Sequence, residues 1–349
     1  MRKTRHISLI TCCILILNFF SSGLFAQKEA LAYMDNISKE LKDIQTDMWD
    51  YTSAAAHGKS ARKVEHRRKD ILKSNTDAQK KIGSMKDFNG TTTYRDSVIS
   101  YLKLSFNVLN HDYGKLLDME EIAEQTYDGM EAYLLAQQKA SDKLDLAGDM
   151  LEAEERKFAA ANNINLIEVK DKTTNKLESA GKVYSYYNVL YLVFFKSYKQ
   201  ELYVLNAMQK ADMSALNQNI SALSKSSEEG LKKTDTVAPF KGDQSLKLSL
   251  KEVLEFYKNE ATVKLPGIMG FYVKKEKFEK IKTAFDAKPQ AKRTQADVDE
   301  FNAAVNEYNN ASNDFNKVNQ ELNNSRNNLL EKWNKSVANF TNKHVPKYK

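Results

Sequence analysis

The first proline of this chain is Pro239, and only 4 prolines and 12 glycines occur in all 349 residues. With breakers so scarce there are few places to turn, and the backbone must satisfy its own hydrogen bonds over long stretches. The apolar residues show how. Met34, Ile37, Leu41, Ile44, Met48, Tyr51 and Ala55 follow one another in steps of three and four, the heptad seam of a helix. Phe301, Val305, Tyr308, Ala311, Phe315, Val318, Leu322, Leu329, Trp333, Val337 and Phe340 form a second such seam. Its other faces carry Asn, Glu, Lys and Gln, and no comparable stretch alternates with period two. The expected fold is all-α: an elongated antiparallel helical bundle with coiled-coil-like seams.

Residues 1–26 read as a secretory signal peptide. Arg2, Lys3 and Arg5 precede the apolar stretch Leu9 to Phe20, and Ser21 to Ala26 is a small-residue exit. The apolar stretch is short for a membrane span of about 20 residues. Cys12 and Cys13 lie inside it and not at its end, so lipid attachment is not expected. From Gln27 onward there is no cysteine, which excludes disulfides, thiolate metal sites and cysteine catalysis. Losing three basic residues takes the net charge from +7 to +4, too weak for a nucleic-acid binder. The expected product is exported to the periplasm or cell surface, with no transmembrane span in the mature chain.

An internal repeat divides the rest. Phe88-Asn89-Gly90-Thr91 and Phe240-Lys241-Gly242-Asp243 are F-x-G loops 152 residues apart. The same offset pairs Ser97 with Ser249, Val98 with Leu250, Leu102 with Leu254, and Gly114 with Pro266. Ala140-Ser141 and Ala311-Ser312 match at 171 residues, so the second copy carries 19 more, placed over Lys282 to Val298 around Pro289. The expected organisation is a signal peptide (1–26) and two tandem helical units (27–166 and 167–349) of three to four helices each. In the first, the long helix bends at His57-Gly58. In the second, its counterpart runs unbroken from about Thr174 to Glu229, a stretch without proline.

Catalytic equipment is missing. His57-Gly58-Lys59-Ser60 ends like a phosphate loop, but Ser53 stands where that loop needs its first glycine. There is no Glu-x-x-His, H-E-x-x-H or C-x-x-C-H, so no metal site, haem attachment or other cofactor is expected. Glu120-Glu121 and Glu154-Glu155 are adjacent in sequence and read as solvated helix faces.

Two stretches carry the binding chemistry. Arg62, Lys63, Arg67, Arg68, Lys69 and Lys73 could face an anionic surface of phospholipid heads, lipopolysaccharide or acidic glycan. The favoured alternative is complementarity within the bundle, against Asp118, Glu120, Glu121, Glu124, Asp128 and Glu131. Val183 to Tyr203 is apolar on all sides and reads as a helix buried all round. The alternative is a pocket wall for a lipid or haem-like ligand, with Tyr187, Tyr191, Phe194 and Tyr198 as its lining.

With its signal peptide ending Leu24-Phe25-Ala26-Gln27, its Asn- and Lys-rich helices and its two F-x-G loops, the chain resembles a family of uncharacterised exported surface proteins of Bacteroidota and leptospires. The resemblance implies an all-α fold and a surface or periplasmic location, and it implies no activity. The expected function is non-catalytic binding or scaffolding in the envelope, with another envelope protein, a glycan or a lipid surface as partner. A carrier of an apolar ligand is the second reading, and an enzyme with an unrecognised site the third.

Overall fold

The computed structural model describes residues 14–15, 24–114, 121–167 and 171–346. The signal-peptide expectation, Cys12 and Cys13 included, falls mostly outside these residues, as do Asp118 and Glu120. Nine α-helices carry the described chain: α1 (Leu24–Ala56), α2 (Ala61–Gly83), α3 (Thr93–Asn107), α4 (Tyr127–Ala161), α5 (Lys172–Lys210), α6 (Met213–Thr236), α7 (Ser245–Asn259), α8 (Leu265–Ala287) and α9 (Gln295–His344). Extended pairing among the described residues is confined to a two-residue ladder, Ile14–Leu15 against Leu166–Ile167, and two single bridges. The fold is all-α, and the chain forms two compact units: Met1–Asn188 with Ala338–Lys349, and Val189–Val337.

In the first unit α1 and α2 form an antiparallel hairpin. Met34, Ile37, Leu41, Ile44 and Met48 are buried on α1, as the seam requires, opposite Ile71, Ala78 and Ile82 of α2. The expected bend at His57-Gly58 is a full break. Gly58 takes φ +63°, and the His57 ring nitrogens lie 2.9 Å from Asn342 Oδ1 and 3.3 Å from the Pro346 carbonyl oxygen. α3 and α4 complete the core through Val98, Leu102, Leu144 and Leu151.

The second unit is an up-down-up-down bundle of the last half of α5, then α6, α7–α8 and most of α9. The uninterrupted helix expected from Thr174 to Glu229 does not form: α5 stops at Lys210 and α6 starts at Met213. Ala211 adopts φ +52° and the Asp212 side chain accepts a hydrogen bond from Ala215 N at 3.0 Å, capping α6. An N-cap and one left-handed residue make the turn without proline or glycine. Gly230 of α6 sits so close to α5 and α7 that an added Cβ would meet Val193 and Leu254 at 3.1 Å.

α8 and α9 pair through stacked rings at heptad intervals. Phe271 meets Phe315 at 4.4 Å, Phe278 meets Tyr308 at 4.8 Å, and Phe285 meets Phe301 at 4.4 Å between centroids. The stretch Lys282 to Val298 forms the end of this helical arm, including the short 3₁₀ turn Gln290–Lys292 after Pro289.

The same succession of structures recurs in both units. α2 and α6 begin at Ala61 and Met213, the F-x-G turns at Phe88 and Phe240, α3 and α7 at Thr93 and Ser245, each pair 152 residues apart. α3 runs into a π-helical turn at Val108–Asp112, and α7 into one at Glu260–Lys264, again at that spacing. Both F-x-G turns have two successive residues at positive φ: Asn89 and Gly90 at 51° and 77°, Lys241 and Gly242 at 50° and 83°. Phe88 and Thr91 exchange both backbone hydrogen bonds, at 2.9 and 3.1 Å, as do Phe240 and Asp243. This is the type I′ geometry that Asn-Gly fits best.

Lysine fits it poorly. A side chain with a Cβ costs roughly 1–2 kcal/mol in this conformation, while the cation–π contact of Lys241 on the Phe240 ring returns only about 0.5 kcal/mol at an exposed site. Lys241→Asn is expected to stabilise the second unit by about 0.5–1 kcal/mol. Urea unfolding in a Trp49→Phe background, followed through Trp333, checks this, and an unchanged or lowered midpoint would contradict it.

Candidate functional site

The basic stretch lies on α2 and divides by orientation. Arg68 is buried: its Nε and Nη2 donate to the two Glu65 oxygens at 2.8 Å, and its Nη1 donates to the Leu109 carbonyl, also at 2.8 Å. That carbonyl belongs to the π-turn. Arg67 is half-buried, 3.5 Å from Asp50 and 3.4 Å from Asp70. Both arginines are structural, and the carboxylates named here stand on α1 and α2.

Arg62, Lys63, Lys69 and Lys73 are exposed. At 100° per residue, Arg62, Lys69 and Lys73 lie within about 40° of one another, and Lys63 stands a quarter-turn away. Lys69 is 3.8 Å from Glu65. Among the described residues Arg62, Lys63 and Lys73 form no ion pair. The result is a solvent-facing cationic stripe.

The aromatic stretch is distributed between the units. Tyr187, half-buried, belongs to the first. Tyr191, Phe194 and Tyr198 belong to the second, where Phe194 stacks on Tyr198 at 5.5 Å and on Trp333 at 4.9 Å, and Tyr191 lies 5.6 Å from Phe195. The expectation of a helix buried all round is corrected here. Val189 and Tyr203 are exposed, because α5 turns one side of this stretch to solvent. Phe194 and Trp333 are buried against each other.

The reading of Glu154-Glu155 as a solvated pair is also corrected. Glu154 is half-buried and accepts from Lys157 at 2.5 Å. Glu155, one residue on, is turned inward between Leu151 and Phe158 and is buried. Its carboxyl is pushed up to about 7, by burial first and by the neighbouring Glu152 second.

Sequence reasoning missed the most unusual cluster, in the second unit. Glu201 of α5, Glu260 at the head of the π-turn and Arg326 of α9 are all buried. Arg326 Nε donates to Glu201 Oε1, Nη2 donates to Glu260 Oε1 at 2.6 Å, and Nη1 donates to Asn323 Oδ1 at 2.5 Å. The signal was a gap. The α9 seam runs from Leu322 to Leu329 with no apolar residue between them at seam spacing, and Arg326 occupies that place.

Comparison with protein-family models, curated proteins and solved structures finds no match to this chain. Among the described residues no helix is long and apolar enough to cross a membrane.

If Phe194 is close-packed core, Phe194→Ala should cost about 3–5 kcal/mol through lost transfer energy and the cavity left beside Trp333. Denaturant unfolding read by Trp333 fluorescence measures this directly. A loss below about 1 kcal/mol would instead mean that the ring borders a space able to receive an apolar ligand.

Proposed function

We propose that this is a non-catalytic exported protein of the cell envelope or surface that binds or scaffolds through the outer face of α2. The observation that carries the reading is the split within one basic stretch. Arg67 and Arg68 are consumed in holding the first unit together, whereas Arg62, Lys63, Lys69 and Lys73 are exposed and, among the described residues, only Lys69 lies near a carboxylate. The chemistry of these four suits a polyanionic surface, either phospholipid headgroups or an acidic glycan. Near an anionic membrane each is worth about 1 kcal/mol, so four reach about 4 kcal/mol, a roughly thousand-fold gain that salt weakens.

The two units are read as tandem copies of one three-to-four-helix ancestor. The landmarks recurring at 152 residues support this, because a type I′ turn and a π-turn at matched positions are harder to obtain by chance than amphipathic helix is.

Sedimentation with vesicles tests the binding surface. The protein should pellet with phosphatidylglycerol vesicles at low salt, stay behind with phosphatidylcholine vesicles, and lose binding when Arg62, Lys63, Lys69 and Lys73 are all changed to Glu. Binding to an acidic polysaccharide but not to vesicles would select the glycan. Undiminished binding by the charge-reversed variant would remove α2 from the account. Export has its own check: the mature protein should begin at or near Gln27, and a diacylated Cys12 or Cys13 found by mass spectrometry would overturn that part.

A further inference from the structure

The buried charges of the second unit do not balance. Arg326 carries a positive charge that no ordinary pH removes, and it faces two carboxyl groups that are 0% and 1% exposed, Glu201 and Glu260. Each spends one oxygen on the guanidinium. The other oxygens, Glu201 Oε2 and Glu260 Oε2, meet no donor, and the buried hydroxyl of Tyr257 beside them closes no well-formed hydrogen bond. Two ionised carboxylates here would leave one uncompensated negative charge in a dry interior, with two acceptor oxygens unpaired. Both conditions are costly away from water.

One proton removes both defects. Placed on either carboxyl, it cancels the excess charge and supplies the missing O–H donor, as in other carboxyl pairs that share a proton. We infer that Glu201 and Glu260 form a buried binding site for a single proton, and that this proton secures the π-turn opened by Glu260 against α5 and α9. The groups facing Glu260 are Glu201 from α5, Arg326 from α9 and Tyr257 from α7. α6 also packs on the π-turn, but its nearby charge Glu228 is spent on Lys258 at the surface, and Lys264 of the turn itself pairs with Glu321. Burial, and after it the charge of Glu201, pushes the Glu260 carboxyl up to about 8. The described residues of the first unit hold no counterpart at the matching position. Its π-turn opens with Val108, and Arg68 there binds a backbone carbonyl.

The sign of the pH dependence follows. The folded unit keeps a proton that the unfolded chain releases above its ordinary value of about 4.5. This proton's contribution to stability is therefore fully present below about 4.5, is lost as pH rises from about 4.5 to about 8, and is gone beyond.

The test uses the full chain with Trp49→Phe, which leaves Trp333 as the sole indole, and with Glu155→Gln, which removes the carboxyl of the first unit that is pushed up to about 7; Asp47 and Asp50, also raised by burial, are common to both proteins compared. The urea midpoint read by Trp333 should fall steadily from pH 5 to pH 8. Glu260→Gln replaces the proton with an amide N–H donor, so its midpoint should hold nearly level over the same range. An equal slope in both proteins would overturn the inference. Should Glu260→Gln fail to fold, infrared spectroscopy of the parent at pH 7 decides: the protonated-carboxyl band of a single buried group is expected, and its absence refutes the site.

Discussion

The second unit depends on where the guanidinium of Arg326 is held. One planar group bonds α5 through Glu201, the π-turn through Glu260 and its own helix through Asn323. Three chain segments far apart in sequence are thereby fixed at one level of the bundle. Apolar packing alone would tolerate sliding, because a heptad seam presents nearly the same surface at every turn. A forked donor with two buried acceptors does not slide, since any displacement leaves charge unpaired away from water. The π-turn belongs to the same arrangement. Its wider ladder changes the phase of the helix where Glu260 must point inward, and α7–α8 continues along α9 on both sides of it.

The first unit solves a related problem with fewer charges. Arg68 fills the analogous place beside its π-turn, anchored to Glu65 on its own helix and reaching a backbone carbonyl. One guanidinium and one carboxylate balance, so nothing further is needed there. The units thus share a backbone plan while differing in the chemistry at its most constrained point. In both, the same rule holds: buried charge must find a partner.

Much of this was legible in the sequence, and the parts that were not have identifiable reasons. The α1 seam is buried from Met34 to Met48 as its spacing requires, and both F-x-G turns are where the motif put them. The break at Ala211 was hidden because neither glycine nor proline marks it. Only Asp212, one polar residue among many, carried the N-cap signal. Glu155 read as solvated because an adjacent acidic pair says nothing about which member turns inward. On a helix the two point about 100° apart, and the apolar neighbours Leu151 and Phe158 decide. Arg326 left a trace, a missing apolar residue in the seam, but its partners lie on two other helices and no local pattern names them. The basic stretch could be located on its helix, yet the sorting of Arg67 and Arg68 from the outward four depended on Asp50 and Glu65.

The ring ladder of α8 and α9 also limits how this arm can change in length. Its three stacked pairs, Phe271 with Phe315, Phe278 with Tyr308 and Phe285 with Phe301, share one antiparallel register. Inserting or deleting a single residue in either helix would misalign every rung beyond it. Removing one heptad from each helix would simply drop a rung. Homologous chains should therefore grow or shrink here in matched blocks of seven, with odd lengths absorbed only at the tip around Pro289.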